Sequence, residues 1–471
     1  MLSPPGRTPL QKASRLAVFA LALLVVAGLR HHLVWGESPR LPFSLRPLLD
    51  AMETGCVLGF AWFGARAWQR GMAAVREHSP GTKRLILMSL PVLGTALLVP
   101  AFLSSDVTDY VMRGRVLALH GGNPYVQVAA DFPDDALLAF GDAAWKQFPL
   151  PYGPLIADLQ AGIAWLAHLF RFLPPLGEFL LAVVLFKAVF AACLVLAALT
   201  ARSICAVLRP AEQDTVLLGV LWNPLLLNEG VAQAHNEPLV LLMLLLALRA
   251  TLMARTAAGA FALGLGVLTK VVPVLLAPLW LVWSLRHRRL VGLLLGTAAA
   301  LLVSGFYYLR FFTDPGALSF VQRQSSVTGA SLAWAAASLL HIDVASALTA
   351  GRVLVVAIVL AVAVRLWRRP EPPRLVHGCA ACLASLVCLG LGNFGPWYHI
   401  WWIPLALLAG TGYLRRFAWL ATMLSPLCYV VWTGLRTYDA RHEWVQLTMG
   451  LLLPAIAACI WRPLDQAQPA A

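Results

Sequence analysis

Between residues 104 and 152 the chain carries Asp106, Asp109, Asp131, Asp134, Asp135 and Asp142 against only Arg113, Arg115 and Lys146. Asp106 and Asp109 stand immediately after an apolar run, residues 85–103, long enough to cross a bilayer. A carboxylate at that exit point can take the proton of a water-borne hydroxyl, and the guanidiniums of Arg113 and Arg115 can hold a phosphate. On a helix the three-residue spacing puts both acids on one face, where they would share a site and raise one another's pKa. Tyr110 lies among them, and a Gly-Gly-Asn-Pro-Tyr turn supplies Asn123 and Tyr125. A solvated loop also carries Asp and Arg, so the charges alone decide nothing. The length and acidity of the segment do, because long loops without a function are uncommon.

Four more polar clusters interrupt apolar sequence. Tyr152-Gly153-Pro154 is one. The stretch NPLLLNEGVAQAHNEP is another, with Asn223, Asn228, Glu229, His235, Asn236 and Glu237 between two candidate spans. Leu268-Thr269-Lys270 is the third. Ionisable groups at membrane depth are costly and mark candidate sites. A lone Lys270 beside Pro273 in an apolar hairpin fits a phosphate contact, as does His235. The fourth, Gly395 to Trp402, includes Tyr398 and His399, and suits an interfacial aromatic belt as well as a sugar or lipid platform.

The elements that must position these groups are membrane helices. Of 471 residues, 60% are hydrophobic and 12% charged, and the mean hydropathy is +0.75. Soluble domains carry roughly 25% charged residues, so the composition predicts an all-α, polytopic integral membrane protein. The net charge of +14 is dispersed in short clusters between apolar runs. That pattern fits the positive-inside rule and excludes a nucleic-acid partner. Arg7, Lys12 and Arg15 set the N-terminus in the cytoplasm, and the first apolar run is too long for a cleaved signal. Arg30, Arg40 and Arg46 break the rule in the first external connection. Residues 154–172 are expected to lie along the outer interface as an amphipathic helix. That choice returns Arg202, Arg209, Arg249 and Arg255 to the cytoplasmic side and leaves Lys270 on the side of Asp106. External segments then follow at 310–343, 392–398 and 435–443, with about 12 to 14 spans in all. One membrane domain is expected: N-terminal spans over 1–84, an acidic external loop over 104–172, core spans with polar tips over 173–309, and C-terminal spans over 310–471. Cys379, Cys382 and Cys388 have a metal-like spacing but no His or carboxylate beside them, so they read as packing, and no metal is expected.

The order DVTDYVMRGRVLALHGGNPY, YGPL, NPLLLNEGVAQAHNEPL, LTKVVPVLLAPL, PWYHIWW resembles the bacterial polyprenol-phosphate-mannose-dependent mannosyltransferases of the GT-C superfamily, in particular the α-1,6-mannosyltransferases. The resemblance runs from about residue 106 to about residue 402. It implies a GT-C-type helical bundle, here preceded by two extra spans, with an acidic extracytoplasmic catalytic loop in a bacterial inner membrane. It also implies inverting transfer of a sugar from a lipid phosphate to a glycan or glycolipid, without a cofactor. Asp106 matches the aspartate that opens the family's loop. Asp109 stands where many relatives carry a small or aromatic residue, which leaves the identity of the base open between the two. His235-Asn236-Glu237 replaces a frequent His-Asn-Asp and keeps the carboxylate. No GxGxxG with a following acid and no Walker A loop is present, as a lipid donor would lead one to expect. A polytopic transporter or flippase is the main alternative, but its internal repeats and midplane charges are missing. A non-catalytic scaffold would have no need of Asp106.

Overall fold

The computed structural model describes residues 8–35, 46–143, 145–318, 328–410, 412–435 and 440–461. Arg7, Arg40 and parts of the external segments expected at 30–47, 310–343 and 435–443 lie outside the described residues. Among those described, every regular element is a helix. Seven helices are long and apolar enough to span a membrane, or eight if one bent pair is a single span. The 12 to 14 spans expected take in shorter and more polar helices, which that measure of length and apolarity leaves out. The helix α2, Arg46–Glu77, carries Asp50, Glu53, Arg66, Arg70 and Arg76 along its length. Other apolar runs form shorter helices that end at breaks such as Lys270 and Asn223-Pro224.

Helices α1, Pro9–Trp35, and α2 pair antiparallel and pack with α3, Thr82–Leu98. Arg30, the apparent offender against the positive-inside rule, is neutralised within this pair. It binds Asp50 at 2.7 Å and also Glu53, which is itself buried. Such pairing removes the cost of a lone buried cation.

From α3 an irregular connector, residues 99–105, leads to α4, Asp106–Ala118. Its backbone is held from three directions. Lys187 donates to the Val99 carbonyl, and His32 Nε2 lies 3.1 Å from the Ala101 carbonyl. Gln233 Oε1 accepts from the amides of Phe102 and Leu103 at 3.1 and 3.0 Å. These bonds satisfy backbone groups that neither helix nor water serves there. They also fix where Asp106 begins its helix. Asp106 and Asp109 occupy the first turn of α4 and Arg115 the last, as the helix dipole favours.

Helix α5, Pro154–His168, packs flat on α4, because at Gly114 a Cβ would stand 2.2 Å from the Gln160 carbonyl oxygen. It begins beside Tyr152 and ends with His168 against Glu178, in the first turn of α6, Pro175–Leu208. Both ends of α5 therefore stay with α4. The 34 residues of α6 span about 50 Å. At its far end Arg202 binds Asp214 at 2.7 Å, Ser79 also reaches Asp214, and Arg209 and Arg415 meet at Glu212. Arg202, Arg209 and Arg415 thus gather at the end of α6 away from Glu178 and the acidic segment.

Helix α7, Gln213–Leu221, ends at Asn223, whose Oδ1 accepts from the amides of Leu225 and Leu226. A π-helical segment, Leu226–Ala232, follows at a 52° bend. Ala234 then takes φ 58°, a left-handed backbone uncommon for a residue with a Cβ, before α8, Glu237–Leu252. Irregular backbone of this kind, buried in a membrane bundle, is tolerated where it builds a site. Helix α9, Thr256–Thr269, ends at Lys270, and the Gly153 amide donates to the Thr269 carbonyl at 2.9 Å. A Cβ on Gly153 would stand 2.1 Å from the Leu268 carbonyl oxygen. Only a glycine lets the Tyr152 loop and the Lys270 turn meet. Gly153→Ala is accordingly expected to lower stability by about 1–3 kcal/mol through overpacking. Thermal unfolding in detergent should show the fall in Tm, and an unchanged Tm would contradict the close backbone approach.

Candidate active site

Three stretches far apart in sequence converge on the carboxylate of Asp106. Its Oδ2 accepts from the hydroxyls of Tyr152 at 3.2 Å and Tyr110 at 3.4 Å, and lies 3.3 Å from His235 Nδ1. Asn236 Nδ2 donates to the Tyr110 hydroxyl at 3.3 Å. The ring of Trp397 stacks on His235 at 4.4 Å between centroids. Asp106 keeps 21% of its side chain exposed, whereas His235 is fully enclosed. The carboxylate therefore faces an approaching molecule and the imidazole stands behind it.

Charge holds this arrangement together. Burial by itself would raise the pKa of Asp106. The hydrogen bond and charge of His235, the charge of Lys270 and the Tyr152 hydroxyl outweigh it and bring the carboxyl down to about 2. His235 behaves conversely. Burial would lower its pKa, but hydrogen bonds and charge from Asp106 and Glu229 lift it to about 10.

Lys270 sits beside this cluster. Its Nζ donates to Glu237 Oε1 at 2.6 Å and lies 5.2–5.3 Å from the ring centres of Tyr152, Tyr398 and Trp401. The three aromatic faces favour a cation there, and the lysine side chain stays partly exposed. Glu237 Oε2 has no hydrogen-bond partner among the described residues.

Asp109 is set differently from Asp106. It is buried, and its Oδ2 lies 2.8 Å from Arg113 Nη1. Its pKa is raised to about 7, chiefly by burial, with Arg113 pulling it down and the charges of Asp106 and Asp142 adding to the rise. The mutual upward shift expected of the two acids is thus one-sided, because only Asp106 has a cationic imidazole at its side. Arg113 is also buried, and its Nε and Nη2 find no hydrogen-bond partner among the described residues.

Several expected site residues are occupied elsewhere. Arg115 forks between Asp135, at 2.9 Å to both oxygens, and Glu178 at 2.5 Å, where His120 and His168 also bind. Its guanidinium ties α4 to α6 and to the acidic loop. Asn123 Nδ2 donates to the Phe311 carbonyl at 2.8 Å, and the Tyr125 hydroxyl donates to the Tyr152 carbonyl at 2.9 Å. Those two residues brace the loop that carries Tyr152. Asn228 spans Glu229 at 2.8 Å and Gln233 at 3.3 Å. His399 points away from Asp106: it accepts from Trp402 Nε1 at 3.0 Å and bonds the Gly450 carbonyl at 2.9 Å.

Other residues join without having been singled out for the site. Glu229 lies 3.4 Å from His235 Nε2, and Tyr429 donates to Glu229 at 2.9 Å. An ionisable residue at membrane depth was the available signal for Glu229. Tyr429 carries none, since a lone tyrosine in an apolar run says nothing about what it meets. Among the described residues no group of His, Cys, Asp and Glu is arranged to hold a metal ion.

Residues 13–287 match the family model described as alpha-(1->6)-mannopyranosyltransferase, N-terminal domain. The match takes in α1 and α2, set apart above as additions, and every polar residue around Asp106 except Trp397, Tyr398, Trp401 and Tyr429. No curated protein matches the chain.

The fork at Arg115 gives a direct expectation. Arg115→Ala leaves Asp135 and Glu178 with only the imidazoles of His120 and His168 as side-chain partners and should cost about 3–5 kcal/mol. Thermal unfolding checks it, and a variant as stable as the parent would show that Arg115 does not tie these elements together.

Proposed function

We propose, from the premise that the chain belongs to the alpha-(1->6)-mannopyranosyltransferase family, that it moves mannose from a polyprenyl-phosphate donor to an envelope glycan or glycolipid. The transfer takes place at the extracytoplasmic face of a bacterial inner membrane, with inversion at the sugar carbon. Membership carries mannosyl transfer itself. The donor class rests on one observation above the others: a lysine caged by three aromatic rings lies beside an accessible, ionised carboxylate at the irregular end of the membrane helices. A lipid phosphate arriving from the bilayer would meet Lys270 there. The orientation rests on charge, because Arg202, Arg209 and Arg415 gather at the end of α6 away from the acidic segment.

In this reading the acceptor hydroxyl oxygen attacks the anomeric carbon and its proton passes to Asp106. The bond from that carbon to the phosphate oxygen breaks, and the electron pair leaves with polyprenyl phosphate. That leaving group is stable as an anion and needs little protonation. Lys270 takes the charge that develops on it, and Arg113, with two unpaired guanidinium nitrogens, adds a second cation. Asp109 holds Arg113 rather than the acceptor. A carboxylate with a pKa near 2 is a weak base in isolation. It suffices here because the hydroxyl becomes strongly acidic only as its bond to the sugar forms, and Asp106 must then already be ionised.

Asp106→Asn keeps size and most hydrogen bonding but removes basicity, so single-turnover transfer should fall about 10²-fold or more with donor binding intact. Asp109→Asn should fall less. Normal turnover by Asp106→Asn with a dead Asp109→Asn would reverse the two roles. Lys270→Ala should weaken use of the donor more than use of the acceptor, and Lys270→Arg should restore part of it. Unchanged donor dependence in Lys270→Ala would remove that residue from the phosphate site.

A further inference from the structure

Glu229 is a carboxylate that the proposed transfer does not use, and it lies buried behind the group that does. Its Oε1 accepts from Asn228 at 2.8 Å and its Oε2 from the Tyr429 hydroxyl at 2.9 Å. The same Oε2 stands 3.4 Å from His235 Nε2, while His235 Nδ1 stands 3.3 Å from Asp106. One imidazole therefore has a carboxylate at each nitrogen. An ionised carboxylate only accepts hydrogen bonds, and a neutral imidazole has just one N–H to give. Loss of either proton from His235 would leave a nitrogen lone pair 3.3–3.4 Å from a carboxylate oxygen. The ring is wholly buried and stacked on Trp397.

We propose that Glu229 is a positioning residue for the transfer: it keeps His235 doubly protonated, and the imidazolium in turn holds Asp106 ionised and aimed at the acceptor. This rests on Asp106 being the base. The logic is that of an orienting acid behind a catalytic histidine, moved one place back. The titratable and charged groups around the pair come from every packed element. They are Asp106 and Tyr110 of α4, Tyr152 before α5, Glu229 of the π segment, Glu237 of α8, Lys270 after α9, Tyr398, Cys428 and Tyr429. Lys270 is spoken for by Glu237 at 2.6 Å, which leaves Glu229 as the counter-charge of the imidazolium on the side away from Asp106.

The sign of the effect follows. A histidine whose pKa is raised stays charged as the pH rises through its ordinary value near 6.5. Removing one of the two carboxylates lets it lose its proton at lower pH. The test is the side-chain nitrogen NMR titration of ¹⁵N-histidine-labelled full-length protein, with His235→Asn used to assign the signal. Wild-type His235 should remain doubly protonated through neutral pH. In Glu229→Gln its titration should move down by about one unit or more, and turnover should fall about tenfold or more with donor binding kept. Tyr429→Phe disturbs the same pocket but retains the carboxylate, so it should leave His235 charged. A wild-type His235 that titrates near 6.5 overturns the proposal whether or not Glu229→Gln folds. So does an unmoved titration in Glu229→Gln, or a moved titration with unchanged turnover. The titration does not depend on which acid is the base. Normal turnover in Asp106→Asn would therefore refute the base assignment alone and be told apart from these outcomes.

Discussion

A charge buried in a membrane bundle has no water to fall back on, so each one here must be met by another part of the chain. Asp106 is met by His235, His235 by Glu229, Lys270 by Glu237, and Arg115 by Asp135 and Glu178. These pairs join separate elements, except His235–Glu229, which lies within one irregular segment; Asp109–Arg113 likewise lies within α4. The polar contacts therefore fix how the helices stand to one another around the site. Apolar packing between helices is adaptable by comparison, since one apolar face accepts many partners.

The irregular backbone follows from the same requirement. A regular helix through residues 223–237 would set Gln233 and Glu237 on one face and His235 on the opposite one. The Asn223-Pro224 break, the π-helical segment and the left-handed Ala234 send them to different partners instead. Gln233 reaches the connector at Phe102 and Leu103, His235 reaches Asp106, and Glu237 reaches Lys270. One loop thus sets both the position of the acid and the setting of the lysine. Gly153 completes the enclosure by letting the Tyr152 turn rest on the end of α9.

Much of this was legible in the sequence. Composition alone indicated a helical membrane protein, and the order of the short polar motifs pointed to a mannosyltransferase. Tyr110, Tyr152, His235, Asn236, Glu237, Lys270 and Tyr398 were all expected at the site, and all gather around Asp106 or Lys270. What sequence could not separate was a cation free to meet a ligand from one already engaged. Arg113 and Arg115 are two residues apart on one helix and look alike in a motif. Only the fold places Arg115 between two carboxylates and leaves Arg113 with unpaired nitrogens.

The most direct measurement is an experimental structure of the protein in lipid with a polyprenyl-phosphate mannose bound. The account predicts the phosphate within hydrogen-bonding reach of Lys270, about 2.7–3.2 Å, with the sugar's anomeric carbon turned toward the open side of Asp106. A phosphate held by other cations, with Lys270 still bound to Glu237 alone and Asp106 remote from the sugar, would contradict it.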